Sequence, residues 1–306
     1  MPKIAPRRSA SGPGDEGAPA IVIPLVAAAS ILILSGWATI SVIGTPVPDA
    51  LARAKRGEPL RIGYAVEAPY AFVARGGAVS GESPSIAAFV AGRLGVTKVE
   101  WRRLEFGSLI DALEADRIDL IAAGMFITPQ RESRVLFSAP TFRARQGLLV
   151  RSGNPKGLRS YAQAASSPDA RVAVLSGSVE ETILLSQGID ERRLIRVPDA
   201  GTGFAALASG MADGLALSAP TVRWMASRDG SGSTEAARPM EQSAGYSGGY
   251  GAFGFRKADY RLRDAWNRVL ESFVGGEEHL ALVGPFGFSR EDLPAEAPGV
   301  RPGAGR

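Results

Sequence analysis

An arginine two residues beyond a Thr-Pro turn signal, in MFITPQR, is a residue type and setting suited to anion capture. If buried there, the planar guanidinium of Arg131 can grip a carboxylate through two parallel hydrogen bonds, a geometry that lysine cannot reproduce. Three aromatic residues stand just after or at the end of predicted strands: Tyr70 in APYAF, Phe106 in EFGSL and Phe126 in AGMFITP. The strand ends of an α/β sheet are where such folds usually bind ligands. Together the rings can form a box whose negative faces attract a cation by roughly 0.5–2 kcal/mol each. Taken singly, each ring is more often a core residue. Glu67, in the first strand-to-loop turn VEAPY, can accept hydrogen bonds from the N–H groups of a cation and balance its charge; the plainer reading is a solvated loop carboxylate. Ser178 in LSGSVEET, with Glu181 three residues later, fits a capping box that turns backbone N–H groups outward from a helix start. A carboxylate would sit well there, although a capping serine needs no ligand.

The composition withholds most catalytic equipment. The chain has no cysteine, which removes thiol catalysis, thiolate metal sites, disulfides and a lipidated cysteine anchor. His279 is the single histidine, so a multi-histidine metal site is impossible, and its helical surroundings in EEHLALVGPF read as structural. With Arg131, Glu67 and the rings committed to binding, no nucleophile or paired acid and base remains. The reading is a binding protein, not an enzyme, with no cofactor and no metal. The net charge of +4 is weak evidence for a nucleic-acid partner, because Lys3, Arg7, Arg8, Arg301 and Arg306 lie in low-complexity ends.

These residues need elements to hold them. From residue 60 onward short β-rich runs alternate with helical stretches: LRIGYA, SIAAFVAGRL, VEWRRL, LIDALEA and IDLIAAGM, then RVAVLSGS, VEETILLSQ, RLIRVP, FAALASG, ADGLALS and TVRWMAS. Alternation of this kind predicts an α/β fold, here in two lobes. ALEADRIDLIAA (112–123) and ALASGMADGLAL (206–217) echo one another, each running from a helix end through a polar turn and an aspartate into a strand. TFRARQGLLVRSGNP leaves the first body in extended form and GYGAFGFRK returns to it, so two hinge strands are expected. Lobe 1 then comprises 60–142 plus 248–293 and lobe 2 comprises 143–247, with a cleft between them. At 306 residues, 45% of them hydrophobic, the chain is long enough for two such cores.

The two ends differ from this body. After a basic, Gly/Pro-rich leader (1–19), residues 20–44 carry no charge and are long enough to cross a hydrocarbon core of roughly 30 Å as a helix. This predicts an extracytoplasmic body, held by an uncleaved transmembrane anchor in preference to a cleavable signal segment. Ala50-Leu51-Ala52 offers a small-residue cleavage site downstream, residues 45–59 read as a linker, and 294–306 as a disordered tail.

The stretches RIGYAVEAPYAF, GESPSIA, EFGSLIDAL, DLIAAGMFITPQRESRVLFSAPTF, SGNPKGLRSYAQAA, GYGAFGFRK and HLALVGPFGFSREDLP, in this order, resemble the family 3 extracytoplasmic solute-binding proteins of ABC importers, with the ectoine/hydroxyectoine-binding branch as the nearest likeness. The resemblance implies a type II periplasmic-binding-protein clamp that closes on a small solute and delivers it to permease subunits. It implies ectoine or hydroxyectoine as the solute, a compact zwitterion with one carboxylate and a delocalised amidinium ring. Arg131 falls on the family's ligand-binding arginine, Tyr70, Phe106 and Phe126 on its aromatic ligand positions, and Glu67 on the amidinium partner. Asp213 matches a position that often contacts an amine in amino-acid-binding relatives, though an aspartate at a strand start is frequently structural. A polar amino acid is the alternative solute. A cyclohexadienyl dehydratase-like enzyme and a membrane-tethered sensor domain are the more distant rivals.

Overall fold

A computed structural model describes residues 49–243 and 248–294. The predicted leader, the apolar segment 20–44, the start of the predicted linker and the tail beyond residue 294 lie outside the described residues. Among the described residues, no helix is long and apolar enough to cross a membrane.

The first series of elements runs α1 (Ala50–Lys55), β1 (Leu60–Tyr64), β2 (Phe72–Val73), β3 (Val79–Ser80), α2 (Glu82–Arg93), β4 (Val99–Arg103), α3 (Leu109–Glu114), β5 (Leu120–Phe126), α4 (Pro129–Glu132), β6 (Leu136–Phe137) and β7 (Phe142–Ala144). The second runs β8 (Gln146–Arg151), α5 (Tyr161–Ser166), β9 (Val172–Leu175), α6 (Val179–Ser186), β10 (Leu194–Val197), α7 (Ala200–Ala208), β11 (Gly214–Ser218), α8 (Ala219–Arg228) and β12 (Thr234–Ala236). The chain then supplies β13 (Gly249–Phe255), α9 (Tyr260–Phe273) and α10 (Glu277–Val283).

Two large sheets result, ordered β4-β1-β5-β13-β6 (with β7 also on β13) and β10-β9-β11-β8-β12, while β2 and β3 pair as a separate antiparallel ribbon. In each large sheet, three parallel strands are followed by an antiparallel one. β9 and β11 are buried at every residue, the continuous apolar run required of strands covered on both faces. α9 covers the first sheet because Leu262, Ala265, Trp266, Leu270 and Phe273 recur at helical spacing and bury one stripe. Leu60, Ile62, Ile86, Val90, Phe253 and Trp266 share the first lobe's own core, and Leu148, Val150, Tyr161, Val172 and Leu184 the second's. A further apolar cluster joins Phe106, Leu109 and Ile121 of the first lobe to Leu175, Leu207 and Leu215 of the second.

The chain leaves the first sheet at Arg145, between β7 and β8, and returns to it at β13. The two crossings are laced together: the Gln146 N–H donates to Gln242 Oε1 at 2.9 Å, Gln242 Nε2 to the Gln146 carbonyl at 3.2 Å, and the Ser243 N–H to Gln146 Oε1 at 3.0 Å.

The echo between 112–123 and 206–217 falls on equivalent elements. α3 leads into β5 and α7 into β11, each the third parallel strand of its sheet. The echoed aspartates do the same work. Asp119 accepts from the Arg61 N–H at 2.9 Å, and Asp213 from the Arg171 N–H at 2.9 Å, fastening β5 to β1 and β11 to β9, in each case the first of the three parallel strands of its sheet.

The span 45–59 is not all linker. Asp49 caps α1 by accepting from the Ala52 N–H at 2.8 Å, and Ala50 and Ala54 are buried. Arg53 reaches Asp119 at 2.5 Å, and the Ala50 N–H reaches Asp259 at 3.1 Å. Alternating small and basic residues in ALARAK suit a short helix with a buried alanine stripe. The small-residue motif Ala50-Leu51-Ala52, a cleavage site by sequence, lies inside this packed turn.

Candidate ligand-binding site

The C-terminal ends of the strands carry the site. After β1 the chain folds back at Glu67 and Ala71, which exchange backbone hydrogen bonds of 2.9 and 3.0 Å and fix Glu67 and Tyr70 on either side of the turn. Tyr70 is almost fully buried; its ring lies 4.7 Å from that of Phe142 and 5.6 Å from that of Phe288. It also covers Gly124, at φ +62°, where a Cβ would come within 2.4 Å of the Tyr70 ring. Only glycine suits that combination of φ and contact. Phe126 closes β5, with its ring 5.9 Å from Phe142, and Phe106 opens the short turn after β4.

Arg131 sits on α4, whose cap Thr128 accepts from the Arg131 N–H at 3.3 Å. Its guanidinium is 5.4 Å from the centre of the Phe106 ring and donates to the Phe126 carbonyl at 2.8 Å. It also donates across the cleft to the Gly177 carbonyl at 2.9 Å. Further bonds beside it also run from lobe to lobe. The Tyr70 and Ser218 hydroxyls are 3.0 Å apart, and Thr221 Oγ1 donates to Glu67 Oε1 at 2.8 Å.

The lobes are thus closed. Glu67, Tyr70, Phe106, Phe126 and Arg131 of the first lobe and Ser178, Val179, Glu180 and Ser218 of the second surround a cavity of about 10 Å³. That is room for about one water molecule. Larger hollows elsewhere, such as one of about 730 Å³ beside β12, gather none of the predicted site residues.

Burial without a full complement of cations shapes the electrostatics. Removal from water pushes the Glu67 carboxyl up to about 8, reinforced by the charge of Glu180 and opposed by the Thr221 hydrogen bond. Burial raises Glu180 to about 7 against the pull of its own backbone N–H, Arg131 and Ser178. Glu82, packed behind Tyr70, is raised to about 7 by burial, but its oxygens already accept from Ser83 at 2.6 Å and Thr141 at 2.8 Å.

All of the predicted site residues meet at this cavity except Asp213. Asp213 stands at the opposite end of β11 from the cleft-lining Ser218, accepting from the Arg171 N–H and facing Arg151 at 3.5 Å. It is the structural twin of Asp119. Ser178 does cap α6, accepting from the Glu181 N–H at 3.1 Å. The reciprocal arm of the expected capping box differs: the Glu181 carboxylate accepts from the Gly177 N–H at 2.7 Å and pairs with Arg196 at 2.5 Å. Sequence reasoning missed Glu180, Ser218 and Thr221. Ser218 and, one turn later, Thr221 follow the strand-end rule that found Phe126. Glu180 was hidden because acidic residues in a helix's first turn are routine. His279 is structural: its Nδ1 accepts from the Gly275 N–H at 3.1 Å, its edge meets Phe273, and burial lowers its pKa to about 4.

Comparison with known proteins places this geometry in a family context. Residues 60–281 match the model for "Bacterial extracellular solute-binding proteins, family 3". A "Probable amino-acid ABC transporter periplasmic-binding protein" of Sinorhizobium fredii is 30% identical over 282 residues, 90% of each chain. The crystal structure of EhuB in complex with hydroxyectoine superposes with a TM-score of 0.73 at 32% identity, covering 80% of this chain and 95% of that one. An arginine-bound truncated form of ArgBP from T. maritima gives a TM-score of 0.64 at 26% identity, covering 72% and 98%.

Proposed function

From the premise that this chain belongs to the bacterial extracellular solute-binding proteins of family 3, and is a binding protein and not an enzyme, we propose that its solute is ectoine or hydroxyectoine. The observation that carries the reading is the convergence of one guanidinium, two buried carboxylates and three aromatic rings on a single interlobe cavity. Arg131 takes the solute's carboxylate as a charge-assisted, two-pronged pair. Tyr70, Phe106 and Phe126 present ring faces to the delocalised cation, and Glu67 accepts from its N–H groups. The likeness to the hydroxyectoine complex supports this choice over the arginine bound by other relatives.

The cavity of about 10 Å³ holds no solute of that size, so the lobes open, admit the solute onto the first lobe and close over it. Closure is favoured only by the solute's extra contacts with the second lobe. The closed, loaded clamp is what the permease of an ABC importer receives. Residues 20–44 would keep the body at the membrane surface; persistence of the full-length chain in the membrane fraction after alkaline washing tests that role, and release of a shortened chain refutes it.

Titration calorimetry of the full-length chain in mild detergent, against ectoine, hydroxyectoine, glycine betaine and a panel of amino acids including arginine, tests the solute. Micromolar or tighter binding of an ectoine supports the reading. Silence with both ectoines alongside binding of an amino acid keeps the clamp and overturns the ligand.

A further inference from the structure

We propose that Glu180 is a second ligand-selecting carboxylate, brought by the closing lobe to face Glu67 of the fixed lobe, so that the site requires a solute with an exposed cationic end. The proposal rests on the reading of the cleft as a solute site and extends it to a residue outside the expected set.

Glu180 lies in the first turn of α6 and is buried at the lobe interface. Its neighbour Glu181 turns the other way, toward Gly177 and Arg196, so the pair divides its labour: one carboxylate secures the helix and the other enters the cavity. Among the described residues, the charged side chains lining that cavity are Glu67, Glu180 and Arg131, two acids to one base. The other titratable groups nearby do not restore the balance. Tyr70 is a hydroxyl engaged with Ser218, and Glu82 adds a third buried acid behind the rings, its oxygens occupied by Ser83 and Thr141.

A solute carboxylate that takes Arg131 leaves both glutamates facing the remainder of the solute. A neutral remainder would strand two carboxylates away from water, which is costly. A cation between them offsets that cost, and a broad, delocalised one also uses the faces of Phe106 and Phe126. The mutual influence of Glu67 and Glu180, each held above the ordinary carboxylate range, agrees with two acids gathered where one cation is missing. An acidic solute has no favourable pose here.

The test compares the full-length wild type with Glu180→Gln, Glu180→Asp and the exposed control Glu235→Gln by calorimetry against ectoine, arginine and glutamate. Glu180→Gln is expected to weaken ectoine binding at least tenfold, Glu180→Asp to restore part of it, and Glu235→Gln to change nothing. Without solute, Glu180→Gln is expected to melt no lower than wild type, since a neutral amide stands in for the carboxyl whose neutral form burial favours, so the loss is not unfolding. Ectoine binding within threefold of wild type in Glu180→Gln overturns the proposal and leaves the ectoine reading standing. If wild type binds arginine and not ectoine, and Glu180→Gln still loses tenfold for arginine, the ectoine reading falls and the charge rule stands. Wild-type binding of glutamate as tight as that of either cation-bearing solute, or binding of none of the three, overturns the proposal.

Discussion

Arg131 is already bonded in the closed form to the carbonyls of Phe126 and Gly177, one from each lobe. In the proposed open form Gly177 withdraws from Nη2, and the guanidinium would meet an incoming carboxylate while held by its own lobe. This arrangement predicts that Arg131→Lys fares little better than Arg131→Ala, because an ammonium cannot hold the Phe126 carbonyl and a carboxylate in one plane. Arg131→Ala and Phe126→Ala are each expected to weaken ectoine binding more than tenfold, about 1.4 kcal/mol or more, with melting temperatures that still report a folded chain. Near-normal affinity in both would remove the site assignment. At this scale the sequence was informative where chemistry and position coincide: arginine after a turn, rings at strand ends. It misled at Asp213, because a strand-start aspartate that clamps a neighbouring strand and one that binds an amine look identical until the strand's direction relative to the cleft is known. Ser218, at the other end of β11, is the residue that direction brings to the cleft.

Among the elements, two loops of opposite lobes approach closely in the closed form. Gly107, just after β4, faces Ser176 and Gly177, just after β9. A Cβ on Gly107 would lie 3.0 Å from the Ser176 carbonyl oxygen, and one on Gly177 would lie 2.9 Å from the Gly107 Cα. Gly107→Ala therefore wedges backbone against backbone exactly where Arg131 reaches Gly177, and is expected to favour open lobes and weaken solute binding several-fold without lowering the melting temperature of the empty chain. Small-angle scattering, showing a larger radius of gyration for the variant in saturating solute, checks the direction; identical radii would refute it. The helix α1 has a different role. Arg53 joins Arg61 and Arg256 on Asp119, whose carboxyl burial would raise but whose hydrogen bonds from Arg61 and Arg256 hold down to about 2. Arg53→Ala should destabilise the chain by about 1–3 kcal/mol in urea melts, the usual cost of removing a hydrogen bond to a charged group, while leaving solute affinity unchanged. The α/β alternation and the internal echo were legible in the sequence because burial on both faces writes long apolar runs. Helix α1 was not, since six residues of alanine, leucine and basic side chains become a helix only through their packing against Asp119 and Asp259.

For the whole molecule, the folded, closed and empty chain binds protons that the unfolded chain does not. Glu67, Glu82 and Glu180 stand at about 8, 7 and 7, against 4.5 for an ordinary glutamate. A carboxyl raised by burial stabilises the folded chain most below about pH 4.5, and this contribution is lost progressively as pH climbs through the raised values. Asp119 works in the opposite sense, with its contribution lost only as pH falls toward 2, so it does not interfere above pH 4.5. The melting temperature of the empty chain should therefore fall steadily from pH 5 to pH 8.5. A cationic solute replaces the protons between Glu67 and Glu180, so saturating ectoine should flatten that slope, and its affinity should rise from pH 6 to pH 8 as the proton ceases to compete. Glu82 does not line the cavity and is expected to keep its share of the slope in both conditions. Scanning calorimetry across this range, with and without solute, separates the two contributions: a slope that solute leaves unchanged assigns the whole effect to Glu82 and removes Glu67 and Glu180 from the coupling between closure and binding.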